Sequence, residues 1–321
     1  ESVTSVMKLL ALSALVASTS ALFNADAIPK AAMQLKGQAL VDYVNSLGTT
    51  WTAGAAVESH ARSLMNPKYT RHPEGVIYAE EPSVKATLPD SFDARAQWAA
   101  CKGIGKIRDQ SKCGACWAFA AAESLSDRIC IASNGAQTPQ LSAEDLLDCC
   151  GWFCGDGCEG GYPIRAWNWA TSSGLVTGGG YYEQTGCKPY SIEPCGTHTV
   201  DGVTHKHNCS GLPEPPTPDC KLSCSNSAYT TPYKQDKHYA KSSYAVRQSE
   251  SAIQTEIYNN GPVEAAFTVY EDFDHYTGGV YQHKSGSVLG GHAVKIIGWG
   301  VDNGTKYWLV ANSWNTNWGE S

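Results

Sequence analysis

The sequence has few long hydrophobic runs. The apolar stretch LLALSALVA near the start ends at Ala17 and is shorter than the roughly 20 apolar residues that span a bilayer, so no membrane span is expected. Met7 precedes this run, and the small-residue motif Ala-Asp-Ala follows it at residues 25–27. This order predicts a signal peptide over residues 7–27, with residues 1–6 upstream of it, and entry into the secretory pathway.

Positive charge is also in deficit. The chain carries 24 Lys and Arg against 31 Asp and Glu, which gives a net charge of −7. Proteins that bind nucleic acid usually concentrate basic residues on one face. The acidic balance therefore argues against a nucleic acid as partner.

Cysteine is missing from residues 28–87, whereas all 13 cysteines lie between Cys101 and Cys224. So many cysteines are typical of an oxidising compartment, and an odd number leaves at least one thiol unpaired. The cysteine-free stretch is predicted to be a separate unit, either a removable inhibitory propeptide over 28–87 or a small accessory domain. Residues 88–321 would then form the main domain.

Hydrophobic periodicity predicts helices in the first half of this domain and strands in its last third. Apolar residues recur at helical spacing from Cys116, and further helices are expected from Ser142 and over 162–173 and 249–260. The runs VEAAFTVY, GHAVKIIGWG and KYWLVANSW are apolar and partly β-branched, which favours strands. This order predicts an α+β fold with two lobes and a cleft between them.

Cys113 and Cys116 stand three positions apart where the first of these helices begins. Such a pair can be half of a zinc site, a redox pair, two disulfide ends, or one structural and one reactive cysteine. The density of cysteines disfavours zinc, so no metal is expected, and the preceding residues lack the strand of a thioredoxin-like redox site. If Cys116 is the reactive cysteine, the helix N-terminus would stabilise its thiolate.

The residues around this pair match C-G-[SA]-C-[WY], a signature of papain-like cysteine proteases. The chain resembles the cathepsin B-like members of that family in LPDSFDAR, IRDQSKCGACWAF, LSAEDLLDCC, GDGCEGGYP, PYKQDKHY, NGPVEAAFTVY, GGHAVKIIGWG and YWLVANSWNTNWG, and resembles their propeptide in DYVNSLGTTWTAG. The resemblance implies a papain-like fold, with a helical lobe, a β-barrel-like lobe and the active site between them. It also implies a zymogen without a cofactor.

The resemblance further implies the site residues. Cys116 would be the nucleophile, His292 its base and Asn312 the group that orients the imidazole. Gln110 would donate its side-chain amide to the oxyanion, and the reaction would pass through an acyl-enzyme. The residues implied in substrate binding are Gly114, Gly160, Gly161, His198 and Trp314.

The partners that follow are peptide and protein substrates, the chain's own propeptide as an inhibitor, and cystatin-type inhibitors. A lysosome, a vacuole or an extracellular digestive lumen are the expected locations. The alternative function is a catalytically silent, disulfide-rich binding protein on the same scaffold, and a thiol–disulfide oxidoreductase is a more distant one. The intact set of catalytic residue types argues against the silent scaffold.

The family's disulfide scheme uses every cysteine except Cys116. The implied pairs are Cys101–Cys130, Cys113–Cys158, Cys149–Cys220, Cys150–Cys154, Cys187–Cys224 and Cys195–Cys209. Asn208 and Asn303 stand in N-x-S/T sequences and are candidates for glycosylation. Because the family continues past the position of Ser321, the catalytic domain is expected to be incomplete at its C-terminus.

One segment departs from the family pattern. Cathepsin B-like enzymes with dipeptidyl-carboxypeptidase activity carry an occluding loop, on which two adjacent histidines receive the C-terminal carboxylate of the substrate. The matching segment, residues 195–209, has Thr197 and His198 at those positions. Asp109 is therefore expected to face a threonine instead of a histidine, and Asn317 replaces a second, acidic anchor. These changes predict an endopeptidase with weakened dipeptidyl-carboxypeptidase activity, in which His198 still binds carboxylates.

Overall fold

The computed structural model describes residues 7–10, 28–56, 64–80 and 88–320. The helices in these ranges are α1 (Gly37–Ser46), α2 (Ala94–Gln97), α3 (Cys116–Ala132), α4 (Ala143–Cys149), α5 (Gly151–Cys154), α6 (Pro163–Ser172) and α7 (Glu250–Asn260). The strands are β1 (Met7–Leu10), β2 (Trp51–Ala53), β3 (Phe92–Asp93), β4 (Gly196–Val200), β5 (Val203–His207), β6 (Val263–Tyr270), β7 (Tyr276–Tyr281), β8 (Val288–Asp302) and β9 (Thr305–Ala311). Short 3₁₀ helices connect several of them.

The helical lobe forms where the hydrophobic pattern predicts helices. Helix α3 begins at Cys116, and its apolar residues lie in one buried core with those of α4 and α6. Ser142 caps α4 by accepting a hydrogen bond from the backbone N–H of Asp145 at 2.9 Å, and Ser249 caps α7 in the same way. These side-chain caps satisfy N–H groups that a helix leaves unpaired, which fixes where each helix starts.

The second lobe is built on a twisted sheet with the strand order β2-β7-β1-β9-β8-β3, and β6 pairs with β8 off this path. The long strands β8 and β9 are joined by a tight turn at Asn303 and Gly304, which both have positive φ. Asn-Gly is the preferred sequence for such a hairpin turn. The predicted α+β architecture therefore holds, although the sequence analysis did not anticipate β7.

Strand β1 consists of the first residues of the predicted signal peptide. It lies between β7 and β9, with Lys8 opposite Val280 on one side and Leu309 on the other. The remainder of that predicted segment, residues 11–27, lies outside the described residues. The signal peptide stays a prediction, and its cleavage would withdraw this strand from the sheet.

The upstream segment, residues 28–80 where described, packs on the sheet lobe. Helix α1 buries Leu40 and Val44 in the core of that lobe, and β2 pairs with β7. Trp51 is buried beside Tyr281, and its indole N–H donates to the carbonyl of Gln282 at 2.8 Å. The apolar residues of this segment therefore have no core of their own in the described ranges.

Six disulfides cross-link the main domain within residues 101–224. The pairs are Cys101–Cys130, Cys113–Cys158, Cys149–Cys220, Cys150–Cys154, Cys187–Cys224 and Cys195–Cys209, which are those that the resemblance implies. Cys116 remains as a free, buried thiol. Within the part of the chain that the structure describes, no helix has the length and apolarity needed to cross a membrane.

Candidate active site

Cys116 is the first residue of α3, so its side chain lies at the helix N-terminus as the sequence predicts. The loop before it is held by the Cys113–Cys158 disulfide and by a hydrogen bond of 2.7 Å from the Gly114 N–H to the Cys158 carbonyl. A Cβ atom at Gly114 would lie 2.2 Å from that carbonyl oxygen, so only glycine permits this approach. The loop and helix together fix the position of the thiol.

His292 and Asn312 come from the two long antiparallel strands of the sheet lobe. The pairing of Lys295 with Ala311 brings the start of β8 close to the residues that follow β9. His292 Nε2 lies 2.7 Å from Asn312 Oδ1, and both residues are buried. The ring of Trp314 lies over the imidazole with 4.5 Å between ring centroids, which shields this hydrogen bond from water.

Ser313 sets the orientation of the two side-chain amides in the site. Its backbone N–H donates to Asn312 Oδ1 at 2.8 Å, so it is the amide oxygen that faces His292 Nε2. Its hydroxyl donates to Gln110 Oε1 at 2.8 Å, which leaves Gln110 Nε2 directed at the Cys113 carbonyl, 3.0 Å away. The sequence analysis did not identify Ser313, although it lies inside the ANSW motif.

The two lobes meet at the Cys116 thiol. Backbone N–H groups of Ala293 and Trp117 donate to the sulfur. Because Ala293 directly follows His292, the thiol lies next to the part of β8 that carries the imidazole. Burial nevertheless raises the pKa of Cys116 to about 12 despite these hydrogen bonds. Burial therefore favours the protonated thiol in this covered state, and the thiolate that the sequence suggests stays a prediction for the uncovered site.

Two carboxyl groups, the half-buried Glu264 and the buried Glu123, were not identified from the sequence. Glu264 on β6 accepts a hydrogen bond from the indole of Trp167 at 2.9 Å, and burial raises its pKa well above the ordinary value. Burial also raises the pKa of Glu123 to about 7. The negative charge of an ionised Glu264 opposes the ionisation of Cys116, and the raised pKa of Glu264 lessens that opposition.

Residues 64–70, here called the cover segment, occupy the cleft. Met65 exchanges two backbone hydrogen bonds with Gly291, at 3.0 and 2.8 Å, and the Asn66 N–H donates to the Glu159 carbonyl at 3.0 Å. The backbone of Gly160 has φ +121°, and a Cβ there would lie 2.6 Å from the Met65 Cβ. The cover segment therefore bridges both lobes directly above the thiol.

Asp156 holds the far end of the cover segment. The hydroxyl of Tyr69 donates to its Oδ2 at 2.6 Å, and the Lys68 ammonium lies 3.1 Å from the same oxygen. Gly161 is not hydrogen-bonded to the cover segment in the described residues but pairs with Gly155 in an isolated β-bridge. Asp156 is thus a contact that the sequence analysis missed.

The segment predicted as an occluding loop is a β-hairpin of strands β4 and β5, closed by the Cys195–Cys209 disulfide. The expectation that Asp109 lacks a histidine partner is wrong, because His198 Nε2 lies 3.3 Å from Asp109 Oδ2. Asn315 adds a second contact by donating from Nδ2 to the Thr197 carbonyl at 3.2 Å. Asp109 is therefore contacted by His198, at the second of the two positions, and not by Thr197 at the first.

Further contacts fasten the same hairpin to the helical lobe. His205 stacks on Tyr182 with ring centroids 4.0 Å apart, and His207 Nδ1 lies 3.1 Å from Glu193 Oε2. Burial, together with the neighbouring His205, lowers the pKa of His198 from its ordinary value, although Asp109 is adjacent. His198 is therefore half-buried and already engaged by Asp109 and the Cys195 carbonyl.

The described residues offer one cluster of metal-ligand type, formed by Asp148, Cys149 and Cys220. The two cysteines are bonded to each other, so neither can supply a thiolate. Cys150, Cys154 and Cys158, which stand four positions apart, are also in disulfides. The donor set does not fit a metal site.

Comparison with known proteins gives four findings of similarity. Residues 88–321 match the model of a protein family that is described as "Papain family cysteine protease". The chain is 60% identical over 295 residues to cathepsin B-like cysteine proteinase 5 of Caenorhabditis elegans, covering 89% of this chain and 84% of that protein. It is 52% identical over 319 residues to a gut-specific cysteine proteinase of the same organism, covering 98% and 92%. The solved structure of proCathepsin B S9 from Trypanosoma congolense has a TM-score of 0.72 at 33% identity, covering 88% of this chain and 89% of that chain.

Proposed function

Because this chain belongs to the papain family of cysteine proteases, we propose that Cys116 is its nucleophile and that His292 and Asn312 complete the catalytic centre. The observation that carries this proposal is the His292–Asn312 hydrogen bond of 2.7 Å beside a free thiol at a helix N-terminus. Since Asn312 presents its oxygen, Nε2 of the imidazole carries the proton of that hydrogen bond. Nδ1 is then the nitrogen that exchanges a proton with Cys116.

The reaction follows from these positions. The thiolate attacks the peptide carbonyl carbon, and the negative charge that develops on oxygen is met by the Gln110 amide, a donor typically worth about 3 kcal/mol in the transition state. The imidazolium of His292 gives its proton to the leaving amine, which leaves an acyl group on sulfur. Water then loses a proton to the imidazole, attacks the acyl carbon and releases the acid and the free thiol.

A mechanism-based epoxide inhibitor tests this assignment. We expect the protein, after removal of the upstream segment, to lose activity with the incorporation of one equivalent of inhibitor, located on Cys116 by peptide mass spectrometry. The other 12 cysteines are in disulfides, so they provide an internal control. An absence of labelling after processing would instead favour the silent binding scaffold.

We propose that residues 28–87 are an inhibitory propeptide. Support comes from the cover segment, whose backbone binds Gly291 on one lobe and Glu159 on the other above the thiol. Burial of α1 and Trp51 in the sheet lobe holds the rest of the segment in place. The boundary at residue 87 lies outside the described residues and remains part of the proposal, as does the catalytic domain over 88–321.

We propose that the protein acts in the secretory pathway, in a lysosome, a vacuole or outside the cell, on peptide and protein substrates. Its six disulfides support an oxidising route of synthesis. Inhibition by cystatin-type proteins remains a proposal from the family. The exposed Asn208 and Asn303 are the proposed glycosylation sites, and the second lies in the turn between β8 and β9.

We propose that endopeptidase activity exceeds dipeptidyl-carboxypeptidase activity in this protein. His198, which the resemblance assigns to carboxylate binding, has Asp109 Oδ2 at 3.3 Å and the Cys195 carbonyl at 3.1 Å from its Nε2. A substrate carboxylate would have to compete with both acceptors. We therefore expect hydrolysis of internally quenched peptides to change less than about threefold when the free C-terminus is amidated. A preference above tenfold for the free acid, abolished by His198→Ala, would contradict the proposal.

The pKa of His198 predicts how closure of the hairpin depends on pH. In the closed hairpin this pKa lies below the ordinary value of 6.5, so the closed form binds fewer protons than the open form. Closure is therefore fully favoured above about pH 6.5 and is lost as the pH falls through the lowered pKa. Asp109, His205 and Tyr182 are the titratable groups that face His198.

We expect the kcat/KM of long peptides relative to dipeptide amides to rise at least about twofold between pH 7.5 and pH 5. His198→Gln should flatten that ratio, because it keeps a hydrogen-bonding side chain without the titration. His283→Gln is the matched control, because His283 also lies beside an aspartate, Asp272, but in the sheet lobe and not in the hairpin. This variant should leave the ratio unchanged. A ratio that falls on acidification would show that the hairpin closes at low pH.

A further inference from the structure

Two large aromatic side chains project from the short helix α5. Trp152 is 89% exposed and Phe153 is 37% exposed, and both lie within the loop closed by the Cys150–Cys154 disulfide. We propose that they form an exosite, here called the aromatic ridge, which binds apolar side chains of a protein substrate upstream of the cleaved bond. The proposal deepens the proposed protease function and rests on it.

The aromatic ridge is connected to the cleft through Arg165. The guanidinium of this residue donates to the Phe153 carbonyl at 3.0 Å and lies 4.9 Å from the centroid of the Tyr162 ring. That ring in turn packs edge-on against Tyr69 of the cover segment, with centroids 4.8 Å apart. These contacts join the ridge to Tyr69, so the ridge lies alongside the part of the cleft that the cover segment fills.

The position of the ridge indicates which part of a substrate would reach it. The β4–β5 hairpin contacts Asp109 and Asn315, close to Trp314, and the resemblance places such a loop where the C-terminal carboxylate of a substrate binds. The cover segment passes Gly160 and reaches Asp156 at its other end, toward the ridge. Residues N-terminal to the cleaved bond would therefore extend over Tyr162 toward Trp152.

The exposure of the ridge needs an explanation, because a side chain as large as Trp is seldom left in water. The disulfide fixes the backbone on both sides of Trp152, so little conformational entropy is lost when a partner covers the indole. Phe153 is supported from behind by Trp169, with ring centroids 6.5 Å apart. The guanidinium of Arg165 lies beside the aromatic surface, where it can meet the polar backbone of an apolar segment.

The test compares substrates that do or do not reach the ridge. Two internally quenched peptides share their last three residues before the cleaved bond and differ at the fourth to seventh, which are Leu and Phe in one peptide and Gly and Ser in the other. We expect Trp152→Ala/Phe153→Ala to lower kcat/KM for the apolar peptide by about 3- to 10-fold, mainly through KM. The Gly/Ser peptide and a short dipeptide amide should be unaffected.

Leu222→Ala is the matched control. This side chain is also exposed, at 69%, but it lies near Cys224 of the Cys187–Cys224 disulfide and not in the loop of the ridge. If the double variant fails to fold, Trp152→Ala alone serves, since its side chain has little packing to lose. Equal losses on all three substrates, or no loss on the apolar peptide, would overturn the exosite. Binding of the processed protein to phosphatidylcholine vesicles through Trp152, without a substrate effect, would overturn it in favour of a membrane contact. Failure of the protease function itself would appear as no cleavage by the unmodified protein.

Discussion

Replacing Cys116 with alanine should lower kcat/KM for peptide hydrolysis in the processed protein by at least about 10⁴-fold. The thiolate is the atom that attacks the carbonyl carbon, and no other free thiol exists within residues 101–224 to replace it. His292, Gln110 and the cleft remain, so weak catalysis by oriented water and the oxyanion donor is the most that the variant retains. Initial rates with a quenched peptide give the measurement.

The same substitution should leave the fold intact. Cys116 forms no disulfide, and alanine at the start of α3 keeps the helix and removes only a buried sulfur. Thiol titration in denaturant should give one free thiol for the unmodified protein and none for the variant, with unchanged near-UV circular dichroism. Activity above about 1% of the original would contradict Cys116 as the nucleophile. His292→Ala should lower kcat/KM by a similar factor. The double variant Cys116→Ala/His292→Ala should lose little more than either single variant, because the two groups act as one unit.

The second large effect is on the reactivity of the Cys116 thiol while the cover segment lies over it. At pH 7, Cys116 in the full chain should react with iodoacetamide at least about 100-fold more slowly than it does after removal of residues up to 87. Burial raises the pKa of Cys116 to about 12 in the covered state, so almost none of it is thiolate at this pH. Removal of the cover segment readmits water to the thiol, which lets His292 stabilise the thiolate.

The pH dependence separates this explanation from simple steric blocking. In the full chain the alkylation rate should keep rising about tenfold per pH unit up to at least pH 9, whereas in the processed protein it should be nearly constant above pH 7. The matched variant is Tyr69→Phe, which removes the hydroxyl that binds Asp156 but keeps the ring against Tyr162. Loss of this hydrogen bond should weaken the binding of the cover segment and raise the alkylation rate of Cys116 in the full chain several-fold. Equal rates in the full and processed chains would rule out latency by burial.

Much of the site could be predicted because its signals are local. The cap at Ser142, the glycine-bounded strands and the residues around Cys116 each depend on neighbours in sequence, and the structure has these elements where they were expected. The predicted family and the α+β fold are confirmed by the match over residues 88–321 and by the solved procathepsin structure. The residues assigned to catalysis lie together, and their roles remain to be tested.

The features that were missed depend on contacts between distant parts of the chain. The Asp109–His198 contact joins residues 89 positions apart and depends on where the β4–β5 hairpin packs against a distant loop. The raised pKa of Cys116 depends on a segment about 50 residues upstream that covers the cleft. Neither effect can be inferred from spacing, because burial and the packing of distant segments are properties of the folded chain.

The placement of the disulfides has a consequence for the environment in which the protein works. All six lie in residues 101–224, around the thiol, whereas the strands that carry His292 and Asn312 contain none. Reduction strong enough to break these disulfides would therefore act on the part of the chain that positions Cys116, including the Cys113–Cys158 bond three residues away. The segment that carries His292 and Asn312 has no disulfide to lose, so strong reduction should displace the nucleophile before it displaces the base.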